Sequence, residues 1–114
     1  MLRQPEHGVP EALPRPISPR DGALDIRIWA SRLTGLPRLL VTASRKQGMA
    51  VQRNRFKRRV RMALLGLLRE RPDSLPSGLS LWVRPGRSQP KGCPISFSEI
   101  EGQLRLAFRR WADR

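Results

Sequence analysis

Apolar and polar positions alternate from residue 24 onward. In LDIRIWAS, Leu24, Ile26, Ile28 and Ala30 share one side, and Asp25, Arg27, Trp29 and Ser31 the other. That period of two predicts a half-buried strand. RLLVTAS, residues 38–44, is more continuously apolar and reads as a central strand. A hairpin across SRLTGLP, broken by Gly35 and Pro37, is the simplest connection between the two. LSLWVR, residues 79–84, returns to alternation with Leu79, Leu81 and Val83 inward. Between these strands Phe56, Val60, Ala63, Leu64 and Leu67 recur at helical spacing. The spacing predicts a helix that begins between Ala50 and Arg53. It should end near Arg71, because Pro72 disfavours helix in the residue before it. A last helix carries the stripe Phe97, Ile100, Leu104, Ala107, Phe108 and Trp111, capped by Ser96 with Glu99 or by Ser98 with Glu101.

Strand, strand, helix, strand, helix predicts an α+β fold, a two-layer α/β sandwich with both helices on one face of a small sheet. The opposite face, with Arg27, Trp29, Thr42, Trp82 and Arg84, is left open. Aromatics interleaved with arginines there suit single-stranded nucleic acid. Residues 1–22 hold Pro5, Pro10, Pro14, Pro16 and Pro19 and read as an irregular or disordered segment, with a short helical turn at Pro10–Leu13. Residues 23–114 form a single domain.

Charge changes the picture. Among 114 residues, 23 are basic and 9 acidic, a formal net charge of +14. An excess of that size repels itself unless a polyanion neutralises it. Arginine outnumbers lysine 20 to 3, and its planar fork suits phosphates and base edges. Between Arg45 and Arg61 stand eight basic residues and no acid. Arg53, Lys57 and Arg61 line one flank of the apolar seam, Arg55 and Arg59 the other, and Arg58 lies with Asn54 near the outer face. Solvated helix faces normally mix signs, and this one does not. A membrane is the poorer partner. Met62 to Leu68 is too short to span a bilayer, and the N-terminus lacks the apolar stretch of a signal peptide. The lone Cys93 excludes an intramolecular disulfide and fits a reducing cytosol.

Chemistry of the chain's own is sparse. The nine carboxylates are scattered, whereas a two-metal nuclease needs several converging on one site. Asp25 has no second acid paired with it. His7, the only histidine, lies in the irregular segment, and no glycine-rich phosphate loop is present. No catalytic or metal-ligating residue is therefore expected.

SRKQGMAVQRNRFKRRVR, residues 44–61, closely resembles the signature of the bacterial ribonuclease P protein subunit. That family's pattern is G-x-A-V-x-R-N-R-x-K-R-x-x-R, and Gly48, Ala50, Val51, Arg53, Asn54, Arg55, Lys57, Arg58 and Arg61 fall in register with it. Ser44, Arg45 and Lys46 match the basic approach to it. The LSLWVRPG strand and the SFSEIEGQL helix agree with the flanks. The resemblance implies a ribosomal-protein-like fold with a left-handed crossover between parallel strands, against the usual preference. It also implies a protein cofactor that binds a catalytic RNA, the complex removing 5′ leaders from precursor tRNA in the cytoplasm. The RNA would supply the catalytic site and its Mg2+, and no further protein partner would be required. Arg45, Lys46, Arg53, Asn54, Arg55, Lys57, Arg58, Arg59 and Arg61 would meet that RNA. Arg27 and Trp29 would meet the leader. Residues 1–22 do not resemble the family's basic N-terminal helix, and Met49 and Met62 depart from its usual residues. Two other readings use the same charge. A structural, ribosome-associated RNA-binding protein differs from the first by motif alone. A DNA-binding domain lacks a dimerisation element and helix-turn-helix spacing.

Overall fold

The computed structural model describes residues 14–18, 22–30, 37–70 and 78–113. Strand β1 spans Leu24–Ala30 and β2 Arg38–Val41. A 3-10 turn at Arg45–Gln47 leads into helix α1, Ala50–Glu70. Strand β3 spans Leu79–Pro85 and helix α2 Phe97–Asp113. Both helix boundaries lie within the expected ranges. The expected turn at Pro10–Leu13 lies outside the described residues.

The sheet order is β1-β3-β2, so the central strand is β3 and not β2, and no hairpin pairs β1 with β2. β1 runs antiparallel to β3, with Ile26 opposite Val83 and Ile28 opposite Leu81. β2 runs parallel to β3, with Leu39 opposite Leu81 and Val41 opposite Val83. Parallel neighbours need a long connection, and α1 supplies it. The apolar run at 38–41 suggested a central strand, yet Leu39 and Leu40 stay half-buried at the edge. In β3, by contrast, even Ser80 is 1% exposed, because strands flank it on both sides.

One face of this mixed sheet carries Leu24, Ile26, Ile28, Val41, Leu79, Leu81 and Val83 into a single core. Phe56, Val60, Ala63, Leu64 and Leu67 of α1 complete it, together with Ile100, Leu104, Ala107 and Phe108 of α2. Phe97, placed on the α2 stripe by periodicity, is 43% exposed, since it stands at the first turn ahead of the packed region. Ser96 is the cap of that helix: its Oγ accepts from the Glu99 N–H at 3.2 Å.

Residues 14–18 have no helix or strand, but they are tied to β1. Ile17 N donates to Ile26 O at 2.7 Å, and Ser18 Oγ accepts from Ile26 N at 2.9 Å. The outer edge of β1 is thereby partly paired, which blunts an otherwise open strand edge.

Candidate nucleic-acid interface

α1 holds its charges around, and never inside, its packed seam. Arg55, Arg58, Arg61 and Asn54 are exposed, while Arg53, Lys57 and Arg59 are half-buried at the flanks. Phe56, Val60, Leu64 and Leu67 each contribute roughly 1.5–3 kcal/mol when buried. The like-charge pairs Arg53–Lys57, Lys57–Arg61 and Arg55–Arg59 each cost only about 0.2–0.5 kcal/mol on an exposed helix. Packing therefore wins, and the helix stands with its repulsion unrelieved. Among the described residues no acid pairs with any of the eight cations; the ion pairs are Arg27–Asp25, Arg84–Asp25 and Arg105–Glu70.

Local hydrogen bonds aim this surface. Gln47 Oε1 accepts from Ser44 N at 2.7 Å, and Gln52 Oε1 accepts from Met49 N at 2.9 Å. These glutamine side chains close the 3-10 turn and satisfy an amide at the start of α1. Gln47 O accepts from Gly92 N at 2.7 Å, which ties the turn to the loop before α2. At this junction Gly48 has φ 145, and a Cβ there would meet Gln52 Oε1 at 2.8 Å and Gly92 Cα at 3.1 Å. Only glycine fits so close a backbone approach. The anchoring leaves Arg45 and Lys46 exposed beside the N-terminus of α1. Arg53 Nε is held by Gly48 O at 3.2 Å and Arg59 NH1 by Ile95 O at 3.0 Å, so both are oriented and not free-swinging.

The outer sheet face forms a groove of about 1070 Å3, and Ser44 and Gln47 in its wall make it continuous with the basic turn. Arg15, Arg27, Arg84 and Arg87 also line it, with Asp25. Trp82 is half-buried beside the groove, its Nε1 donating to Thr42 Oγ1 at 2.9 Å, and the Arg84 guanidinium lies 5.0 Å from its ring centroid. Trp29 occupies the same face of β1 but is 8% exposed, and Arg27 is bound to Asp25 and to Pro14 O. The structure thus sets the nine expected residues on the turn and on α1 around its buried seam, and puts Arg27 at the neighbouring groove. Arg15 and Arg87 of that groove went unread in the sequence, because neither lies on a periodic element. No cluster of three or more His, Cys, Asp or Glu side chains able to hold a metal occurs among the described residues. None of the described helices is long and apolar enough to cross a membrane.

The family model for ribonuclease P matches residues 18–111. The chain belongs to the ribonuclease P protein family. It is 40% identical over 73 residues to the ribonuclease P protein component of Thermobifida fusca (strain YX), a match covering 64% of this chain and 45% of that relative's length. The RNase P protein from Thermotoga maritima has the same fold, with a TM-score of 0.61 at 23% identity over 81% of each chain. The Staphylococcus aureus RNase P protein gives 0.55 at 17% identity, covering 75% of this chain and 72% of that one. These structures are similar in fold. The family membership rests on the sequence matches, and the mixed three-stranded sheet with two helices agrees with it.

Proposed function

We infer that this chain is the protein cofactor of ribonuclease P. It docks α1 and the preceding turn on the catalytic RNA, and it takes the 5′ leader of precursor tRNA along the outer-face groove. Eight cations on one turn and helix, two of them held in place by backbone carbonyls and none with an acidic partner among the described residues, carry this reading. Meeting folded RNA relieves their repulsion and releases counterions, which supplies much of the affinity. Asn54 and the arginine forks add orientation. The described residues offer no cluster of metal ligands. In this reading the RNA holds the Mg2+ of the reaction, and no step is routed through a protein-bound ion. Catalysis then belongs to the RNA subunit, in the cytoplasm, and the protein positions the substrate.

In the groove, Arg84 and Arg87 meet leader phosphates, and Trp82 beside it, under Arg84, offers an aromatic surface. Arg27 supports the site from within its ion pair, and Trp29 backs the sheet as a buried side chain. The test is reconstitution. Purified protein alone should leave precursor tRNA intact at every magnesium concentration. Protein added to the catalytic RNA should restore 5′ cleavage at physiological magnesium. Cleavage by nuclease-treated protein, or no effect of protein on the RNA's magnesium requirement, overturns the assignment.

A further inference from the structure

Among the described residues that line the groove there is one acid, and its placement is specific. Asp25 on β1 lies opposite Arg84 on β3 in the strand register. Its Oδ2 accepts from Arg84 Nε at 2.7 Å, and the same carboxylate takes Arg27 through Nε at 3.2 Å and NH2 at 3.3 Å. Each of the three Arg27 nitrogens makes a bond, because the remaining one, Nη1, donates to Pro14 O at 3.0 Å. Its side chain is only 16% exposed. Arg84 is different. Its side chain is 39% exposed, Asp25 holds its Nε, and it rests over the Trp82 ring.

We propose that Asp25 is an internal counter-ligand of the groove, a carboxylate seated where a phosphate of single-stranded RNA would bind, which holds the groove's affinity below what its arginines alone would give. The idea rests on the groove being the leader site. A carboxylate and a phosphodiester are both oxyanions that suit a guanidinium, so they compete for the same donors. Both also carry negative charge, so a phosphate approaching Arg84 meets repulsion from Asp25. Arg15, Arg84 and Arg87 without this acid would retain a cleaved leader as readily as an intact substrate. With it, leader binding becomes weak and reversible, while the dock on α1 stays strong. Asp25 therefore acts as a specificity-setting residue that touches the ligand's binding partners and not the reacting atoms.

The experiment uses the full chain and two probes: a labelled single-stranded oligoribonucleotide for the groove and the catalytic RNA for α1. Arg84→Gln in the wild-type background should weaken the oligonucleotide. No change there would remove the groove as an RNA site, and the role of Asp25 with it. Asp25→Asn should tighten oligonucleotide binding about three- to tenfold at moderate salt. Its salt slope should steepen by about 0.7, one further phosphate contact on a single strand. Adding Arg84→Gln to Asp25→Asn should erase the gain, and catalytic-RNA affinity should not follow it. Should Asp25→Asn fail to fold, Asp25→Ser with Arg27→Gln removes the ion pair at constant net charge, still frees Arg84, and should also tighten binding. If Arg84→Gln weakens binding but neutralising Asp25 does not tighten it, Asp25 is only a clamp between strands. That outcome overturns the counter-ligand and leaves the groove standing.

Discussion

Single side chains show where packing ends and recognition begins. Phe56 sits among eight cations yet is 0% exposed, so it belongs to the core and not to the basic surface. Phe56→Ala should cost about 3–5 kcal/mol in chemical denaturation. A loss under about 1 kcal/mol would mean that α1 is not anchored where the structure has it. Cys93 is 2% exposed, its Sγ directed to Gln47 O at 3.5 Å, and desolvation by burial raises its thiol pKa. Thiolate is scarce at neutral pH in consequence, and a thiol reagent should label the native protein far more slowly than the denatured one. Comparable rates would show that the loop before α2 opens. Because the folded-state value is raised, the stability linked to this thiol is complete below its unfolded pKa. It is lost as pH rises through the folded one, on the alkaline side.

At the scale of elements, α1 was legible because two independent signals coincide in it: an apolar period that survives eight charges, and a basic signature specific enough to place nine residues. The cap was legible as Ser96 or Ser98, each spaced to a glutamate, and the bond from the Glu99 amide decides for Ser96. Ser96→Ala should cost about 1 kcal/mol, by loss of the bond to the Glu99 amide. An unchanged thermal midpoint would move the cap to Ser98. The sheet was harder. Leu39, Leu40 and Val41 look like a central strand from composition alone, yet strand position depends on partners distant in sequence. Ile26 and Ile28 meet Val83 and Leu81 across more than fifty residues, and no local pattern encodes that choice. The same cause hid the Asp25–Arg84 pair, which exists only once the register of β1 on β3 is set. The docking of residues 14–18 was also unreadable. It runs through the backbone carbonyls of Pro14 and Ile17, the Ile17 amide, the Ser18 hydroxyl and the packing of Ile17 on the core, none of which follows a local period.

Across the whole molecule, a small core supports a charge of +14, and the excess gathers on one helix, its leading turn and the adjoining groove. Such a body is electrostatically unfinished, and in the proposed function RNA phosphates complete it. Whether α1 is the dock decides the proposed function. The direct measurement is the affinity of the full chain for the catalytic RNA over a salt series, wild type against Arg53→Ala/Arg55→Ala/Arg58→Ala. None of the three belongs to the buried seam, so circular dichroism should report an unchanged fold. The account predicts weaker binding and a salt slope shallower by about 0.7 to 0.9 for each lost phosphate contact. Unchanged affinity and an unchanged slope in a folded triple variant would contradict it, and the basic stripe would then be no more than a solvated face.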